Sequence, residues 1–280
     1  MTHTTTHRPA GSVAAARERV ATARRFARWP IVLVATIALI AAGCGDDDDN
    51  ESQDHDAACD AWNRAEWALG FEEDAETGVA ALEDFVASAP ADLAEAVEEL
   101  VPMFREDLAA ALESEELAEA EVAVDDFLLE SCADTRVDVE AVNFAFNGIP
   151  AEIDAGRVVF NLTNRTQTAE FHEAFLLRLD DGDAHDVLAA ALDPDAISAE
   201  NTMEALGELT IVEGGLGFVE PPGGDEQDVF SADLEPGNYL LACLLPVGSD
   251  ELIEPYFMGE RIEGVERHFD DGMFASFTVK

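Results

Sequence analysis

The sequence predicts an α+β protein of several domains, in which a small helical bundle precedes an antiparallel β-sandwich with helical insertions. Two observations predict this order. Residues 56–133 carry apolar side chains at the 3.6-residue period of amphipathic helices. Residues 137–280 instead contain short runs of alternating apolar residues separated by turn signals. The pattern changes near residues 134–139, so we expect a helical domain at 57–134 and a β-domain at 137–280.

The first 44 residues have the pattern of an export signal. Six arginines and one acid are followed by an apolar run from Pro30 to Ala42, which is too short to span a bilayer. The run ends in Ile-Ala-Ala-Gly-Cys44, which resembles a bacterial lipobox. The resemblance implies a lipoprotein signal peptide at 1–43 and lipidation of Cys44, with diacylglycerol and palmitate as the lipid groups. We therefore expect an extracytoplasmic protein held on the membrane by lipid. A plain secretory signal or an uncleaved anchor is the alternative.

Acidic residues dominate the rest of the chain. Residues 44–56 are polar and acidic with no apolar face, which predicts a solvated tether. The net charge is −46, and without the six arginines and one glutamate of residues 1–44 it becomes −51. Such self-repulsion destabilises a compact fold in dilute buffer and is screened by salt. We therefore expect a halophilic, high-salt setting and exclude nucleic acid as a partner.

Four helices are expected in the helical domain. The clearest begins at Asp92, where Glu95 completes a capping-box pattern, and its apolar stripe continues to Leu112 past a kink at Pro102. Shorter helices are predicted at 58–69, 78–88 and 117–132.

Two cysteines lie at the two ends of this helical domain. In an up-and-down arrangement the start of the first helix lies beside the end of the fourth, which is where Cys59 and Cys132 occur. Outside the cytoplasm such a pair should form a disulfide. Two free thiols are the alternative.

The β-domain is expected to contain five strands with helices inserted between the third and fourth. The predicted strands cover 142–146, 158–162, 171–179, 239–245 and 274–279, and the inserted helices cover 186–192 and 198–209. The glycine-rich stretches at 214–217 and 221–224 are interpreted as loops. No Ser-His-Asp elbow, HExxH motif or phosphate-binding loop occurs in the sequence, so we do not expect an enzyme.

One cysteine is left without a partner. If Cys44 is lipidated and Cys59 pairs with Cys132, then Cys243 is unpaired, which in an exported protein requires an explanation. Only four histidines follow residue 44 in the chain. Two of them, His172 and His268, precede and follow Cys243 within the β-domain, and a methionine, Met273, comes five residues after His268.

The segments around these residues resemble the cupredoxins, the family of plastocyanin and azurin. The resemblance covers residues 140–280 and is carried by the segments 144–150, 155–161, 164–173, 234–243 and 268–279. It implies a cupredoxin-like sandwich that binds copper through the nitrogens of His172 and His268, the thiolate of Cys243 and the weak axial thioether of Met273. One thiolate, two imidazoles and a thioether suit exchange between Cu(I) and Cu(II).

The sequence departs from the family between the second and third ligands. Electron carriers of this family have only a few residues there, whereas here 24 residues, 244–267, separate Cys243 from His268. The entropic cost of closing a loop grows only slowly with its length, so a loop of this size is still able to return His268 to the site. It is equally able to place His268 elsewhere.

Two functions are consistent with these patterns. The first is a membrane-anchored copper-binding or electron-transfer lipoprotein with a redox or protein partner. The second is a metal-free binding or structural lipoprotein that acts through protein contacts, with the helical bundle or the 247–267 insertion as the docking surface. In the second case Cys243 is a small buried apolar residue and Met273 belongs to the core.

Overall fold

The computed structural model describes residues 48–72, 74–179, 184–192, 197–206, 209–223 and 227–280. The predicted signal peptide, the lipidation site Cys44 and the first residues of the predicted tether lie outside the described residues. The helices are α1 (Asp48–Glu66), α2 (Ala75–Ser88), α3 (Ala91–Glu98), α4 (Leu100–Glu106), α5 (Leu108–Leu112), α6 (Glu115–Phe127), α7 (Ala184–Ala191), α8 (Ala199–Leu206) and α9 (Ser249–Phe257). The strands are β1 (Thr135–Ala141), β2 (Phe146–Asn147), β3 (Glu152–Ile153), β4 (Gly156–Asn164), β5 (His172–Leu179), β6 (Thr210–Val219), β7 (Gln227–Leu234), β8 (Gly237–Ala242) and β9 (Phe274–Val279).

Helix α1 begins ten residues earlier than the predicted first helix. It starts at Asp48, so residues 48–56 of the segment predicted as a tether are helical. A π-helical turn, Trp67–Phe71, follows α1 directly. Within the part of the chain that the structure describes, no helix is both long and apolar enough to cross a membrane.

The predicted long helix from Asp92 is divided into three short ones. The helix begins at Ala91 after Pro90, whose side chain makes no capping bond, so the predicted capping box is wrong. Asp92 instead lies in the first turn of α3, where its charge is favourable. The break between α3 and α4 falls three to four residues before Pro102, which has no N–H to bond the preceding turn. Asp107 then ends α4 and caps α5 by accepting from the N–H of Ala110.

The predicted disulfide is confirmed. Cys59 in α1 and Cys132, at the end of the π-helical turn Leu128–Cys132 that follows α6, are bonded with their Cα atoms 5.8 Å apart. The bond closes 73 residues of chain. A loop of this length gives about 4 kcal/mol of stabilisation in the chain-entropy description.

The β-region consists of two mixed sheets. The predicted α+β class is therefore confirmed, but the prediction that all strands pair antiparallel is wrong. Sheet A has the order β2-β1-β4-β7 and sheet B the order β3-β9-β8-β5-β6. Strands β1 and β4 run parallel, as do β3 and β9. The reason is the connection: after β2 the chain crosses to sheet B as β3 and returns to sheet A as β4. Such a crossover joins parallel neighbours, whereas a hairpin joins antiparallel ones.

The first predicted strand, 142–146, is mostly a turn. Val142 donates to the carbonyl of Ala145, and Asn143 between them has a φ of 53°. Asparagine tolerates this left-handed conformation better than most residues do. The alternating apolar residues of the actual strand β1 are Val137, Val139 and Ala141.

Three apolar cores lie side by side. The middle core is shared by both sheets and contains Val158 and Phe160 of β4 together with Leu176 of β5. On the other face of sheet A, Val159 belongs to the core of the helical region. On the other face of sheet B, Leu177 packs with residues of α7 and α8. Strands β4 and β5 are therefore buried on both faces, which explains their nearly continuous apolar sequences.

Polar contacts also join the helical region to sheet A. The guanidinium of Arg157 in β4 forms ion pairs with Asp60 of α1 and, at 3.1 Å, with Asp233 of β7. The hydroxyl of Ser231 in β7 donates to the side-chain oxygen of Asn63 in α1 at 3.1 Å. These contacts fix α1 against the same sheet that carries Val159.

Candidate metal centre

His172 is the first residue of β5, an inner strand of sheet B. The loop that precedes it is held by Asn164, whose side-chain N–H groups donate to the carbonyls of Glu170 at 3.0 Å and Glu220 at 2.8 Å. The side chain of His172 is completely buried. Its Nε2 is a buried atom without a hydrogen-bond partner among the described residues.

Cys243 follows directly after β8, the strand that pairs with β5. Its thiol is completely buried. The backbone N–H of Cys243 donates to the carbonyl of Met273 at 3.1 Å. Its sulfur accepts from the backbone N–H of Glu173 at 3.4 Å, a residue adjacent to His172. Pairing of the two strands thus brings the thiol to the position of the first histidine.

The long loop after Cys243 returns His268 to the site. The base of the loop is closed by an antiparallel bridge between Pro246 and Arg267 and by a 2.8 Å bond from the N–H of Val247 to the carbonyl of Glu266. The N–H of His268 then donates to the carbonyl of Leu245 at 2.9 Å. The intervening residues, which include α9, fold as a closed insertion. Its length therefore does not separate the third ligand from the second.

The three donor atoms converge. Nδ1 of His268 lies 3.3 Å from Nδ1 of His172 and 3.3 Å from the sulfur of Cys243. Ligand atoms of all three side chains lie within 4.8 Å of one another. Among the described residues this is the one group of three or more His, Cys, Asp or Glu side chains with such spacing.

Met273 lies next to this group through its backbone. Its N–H donates to the carbonyl of His268 at 2.9 Å, and its carbonyl accepts from the N–H of Cys243. The side chain is completely buried and belongs to the same apolar core as Cys243. The five-residue step from His268 to Met273 therefore forms a turn whose backbone is bonded to both His268 and Cys243.

The carboxylate of Glu170 holds His268 from the side away from the cluster. Glu170 Oε2 lies 3.3 Å from Nε2 of His268 and accepts from the hydroxyl of Ser249 at 2.6 Å. The backbone N–H groups of Gly248 and Ser249, at the start of α9, donate to the same carboxylate. Burial opposes the charge of Glu170, but the bonds from His268, Ser249 and Gly248 prevail and lower its pKa to about 2. An ionised Glu170 thus orients the imidazole with Nδ1 toward the cluster.

A second carboxyl group, that of Glu173, is 4 % exposed. Its Oε1 accepts from the N–H of Leu244 at 3.0 Å. Burial raises its pKa to about 8, and the bond from Leu244 offsets only part of that effect. At neutral pH this side chain is therefore mainly protonated in the metal-free protein.

Burial also favours the uncharged forms of His172 and Cys243. It lowers the pKa of His172 to about 3, with repulsion from His268 adding to the effect and Glu170 opposing it. It raises the pKa of the Cys243 thiol well above its usual value, and the nearby Glu173 acts in the same direction. A metal that binds here must therefore displace the thiol proton, as metal–thiolate sites generally do.

The donor set fits copper. Two imidazole nitrogens and one thiolate, with a thioether residue beside them, match the set that blue-copper sites use. The same N and S atoms suit zinc, whose structural sites have four ligands.

Sequence reasoning assigned no role to Glu170 or Glu173. A usable signal was present, because the two carboxylates lie on either side of His172 in an otherwise apolar segment. Acids in such a position need partners when the segment is buried.

Comparisons with known proteins find likeness only among solved structures. No protein-family model and no curated protein sequence matches the chain. One similar structure is auracyanin B, at 19% identity and a TM-score of 0.32 over 53% of this chain and 90% of that one. Another is auracyanin A, a "blue" copper protein of Chloroflexus aurantiacus, at 20% identity and a TM-score of 0.28 over 52% and 99%. A third is reduced rusticyanin, at 18% identity and a TM-score of 0.23 over 52% and 79%. Because these TM-scores are low, the chemistry of the site is inferred from its own donors and distances.

Proposed function

We propose that this protein is a copper-binding or electron-transfer lipoprotein whose β-region is a cupredoxin-like sandwich. His172 and His268 bind the metal through Nδ1, Cys243 supplies the thiolate and Met273 the weak axial thioether. The observation that carries the proposal is the convergence of three completely buried side chains, whose ligand atoms lie within 4.8 Å of one another. Copper bound by such donors supplies one-electron exchange.

The surroundings of the cluster support retention of a metal. The two strands that position His172 and Cys243 are inner strands of sheet B, and Glu170 fixes His268. Ligands whose orientation is fixed by neighbouring groups hold a metal more tightly than free side chains do.

The visible spectrum of the copper-loaded full chain tests the proposal. The metal-free protein receives one equivalent of Cu(II) in high-salt buffer, and a mild chelator removes loosely held ions. We expect an intense thiolate-to-copper band that Cys243→Ser and His268→Gln abolish. The matched control is His55→Gln, because His55 packs against Phe127 in the helical region and should leave the band unchanged.

Three outcomes would reject a blue-copper site. One is the absence of the band from a folded wild-type protein, with copper stripped equally from wild type and Cys243→Ser. The second is a band that survives in Cys243→Ser. The third is tight binding of Zn(II) that Cu(II) never replaces, which would indicate a structural zinc site. The first outcome would instead support the metal-free interaction protein.

We further propose that the chain is exported and anchored to the outer face of the membrane through lipid on Cys44. The apolar run that ends at Cys44, preceded by six arginines, supports this proposal. The test is fractionation of cells that express the full chain or Cys44→Ala. We expect the wild type in the membrane fraction with a lipid-modified N-terminal peptide by mass spectrometry. An unmodified Cys44 in the wild type would contradict the anchor.

A further inference from the structure

The carboxylate of Glu170 contacts one of the candidate metal ligands directly. Its side chain is 12% exposed, and its Oε2 lies 3.3 Å from Nε2 of His268, which is completely buried. Glu170 lies two residues before His172 in the chain, whereas His268 follows the long 244–267 loop. The contact therefore joins the two segments that carry the two candidate histidine ligands.

Three further donors surround this carboxylate. The N–H of Gly248 donates to Oε1 at 3.0 Å, and the N–H and hydroxyl of Ser249 donate to Oε2 at 2.8 and 2.6 Å. Although burial raises the pKa of Glu170, these bonds and the one from His268 outweigh it and lower the pKa to about 2. Glu170 is therefore a fixed negative charge, and its Oε2 is shared between Ser249 and His268.

The contact determines which nitrogen of His268 carries the proton. An ionised carboxylate only accepts hydrogen bonds, so Nε2 must be the donor, and Nδ1 of the neutral ring then carries a lone pair. Nδ1 is the nitrogen that faces Nδ1 of His172 and the sulfur of Cys243. A carboxylate in this position orients a histidine ligand and increases its basicity.

The charge of Glu170 also acts on the other two ligands. Burial causes the largest pKa shifts of His172 and Cys243, and Glu170 adds a smaller effect by raising the pKa of both groups. Each effect is that of a negative charge, which favours positive charge at the ligand positions. Coulomb attraction is proportional to charge, so a doubly charged ion held by these ligands gains more from Glu170 than a singly charged one.

We propose that Glu170 is a positioning residue of the metal centre that also makes the centre prefer Cu(II) to Cu(I). It holds the Nδ1 lone pair of His268 toward the cluster, and its negative charge stabilises the ion of higher charge. The inference rests on the copper function proposed above and concerns the oxidation state that the protein favours. A centre biased in this way releases its electron more readily than one with a neutral group at position 170.

Glu170→Gln in the full chain tests the effect of the charge. Glutamine keeps the size of the side chain and a carbonyl that accepts from His268, but it carries no charge. Competition with Cu(II)-specific and Cu(I)-specific chelators in high-salt buffer gives the affinity for each ion. We expect the ratio of the Cu(II) affinity to the Cu(I) affinity to fall by about tenfold. This change corresponds to a rise of about 59 mV in the reduction potential.

The matched control is Glu251→Gln, which removes an exposed acid from the first turn of α9. Salt screens an exposed charge, so the ratio should stay within about threefold of the wild-type value. Circular dichroism of each metal-free variant checks that it is folded.

Ser249→Ala provides a test of opposite sign. The hydroxyl of Ser249 donates to the same Oε2 that contacts His268, so its removal leaves more negative charge for the imidazole. We expect the ratio of Cu(II) to Cu(I) affinity to rise by about twofold to threefold. A purely structural role of Glu170 and Ser249 does not predict opposite shifts in the two variants.

Nuclear magnetic resonance of the metal-free wild type tests the positioning role without copper. The hydrogen bond of one ring nitrogen determines the tautomer of a histidine. In ¹⁵N-labelled protein at pH 8, assigned by comparison with His268→Gln, we expect a protonated Nε2 and an unprotonated Nδ1 for His268.

Three results would overturn the inference. The first is a ratio in Glu170→Gln that equals the wild-type ratio or exceeds it. The second is a shift of the same sign in Ser249→Ala and Glu170→Gln, which would mean that both variants only loosen the site. The third is a metal-free His268 with its proton on Nδ1.

Failure of the copper function would give a different result, namely a wild type that retains neither copper ion against the chelators. The preference for Cu(II) would then be refuted together with the copper function. The tautomer of His268 in the metal-free protein would still decide whether Glu170 positions the imidazole.

Discussion

Replacement of Glu173 by glutamine should stabilise the metal-free protein, and by an amount that grows with pH. The carboxyl group is 4 % exposed and has a pKa of about 8 in the folded chain. In the unfolded chain a glutamate has a pKa of about 4.3. Between these two values the folded state must keep a proton that the unfolded state releases. The wild type therefore loses stability as pH rises through this window.

The size of the effect follows from the linkage between protons and folding. Each pH unit between the two pKa values lowers the free energy of unfolding of the wild type by about 1.4 kcal/mol. From pH 5 to pH 7 the advantage of Glu173→Gln over the wild type should therefore increase by about 3 kcal/mol. Below about pH 3 both side chains are neutral in both states, so this pH-dependent difference vanishes. The carbonyl of glutamine is still able to accept from the N–H of Leu244.

Urea unfolding of the metal-free proteins at pH 5, 6, 7 and 8, in one high-salt buffer, measures the difference. The control is Glu213→Gln, which removes an exposed glutamate from β6 of the same sheet, where the burial argument does not apply. A difference between Glu173→Gln and wild type that stays constant from pH 5 to pH 8 would refute the reasoning. It would mean that Glu173 is ionised in the folded state.

Two further predictions concern charge. Glu170→Gln should lower the free energy of unfolding by about 3 kcal/mol at pH 7, since the pKa of Glu170 is lowered to about 2. The loss should disappear as pH falls from about 4.5 toward 2, and a loss that persists there in urea unfolding would contradict it. Sodium chloride should raise the melting temperature of the wild type between 0.1 and about 1 M, where the Debye length falls from about 10 to about 3 Å. An equal rise in sucrose of matched osmolality would show that charge screening is not the cause.

The sequence predicted well those features that depend on local periodicity. Runs at 158–162, 171–179 and 274–279 lie in β4, β5 and β9. The pairing of Cys59 with Cys132 was also predictable, because it depends only on the order of the helices and on the chemistry of thiols. Strand pairing depends on contacts far apart in sequence, which is why the parallel pairs β1–β4 and β3–β9 were missed.

The glycine-rich stretch at 214–217 shows another limit. The sequence predicts a loop here, but the stretch lies in β6, where close packing requires glycine. A Cβ on Gly217 would lie 2.5 Å from the ring of Phe230, and one on Gly215 would lie 2.7 Å from the Cβ of Leu176. The residues that impose this limit come from other strands. The sequence therefore shows the glycines but not the neighbours that require them.

The sequence predicts which residues form the candidate site, but not the backbone and side-chain contacts that hold them in place. The histidines, the cysteine and the methionine were recognisable because their types and order are specific. Whether His268 returned to Cys243 depended on the backbone contacts at the base of the 244–267 loop, which no sequence pattern encodes. The bond from Glu170 to His268 joins residues 98 positions apart and was equally invisible.

The distribution of charge in the fold explains why acidity and compactness are compatible here. All nine lysines and arginines after residue 44 lie within 4.0 Å of a carboxylate. Most of these pairs are exposed, and such pairs contribute about 0 to 1 kcal/mol each. Arg157 differs, because its side chain is 11% exposed and contacts acids of both α1 and β7. Since no further lysine or arginine follows residue 44 to neutralise the remaining acids of that part of the chain, their neutralisation must come from cations in solution. We therefore propose that the folded state depends on a salt-rich environment.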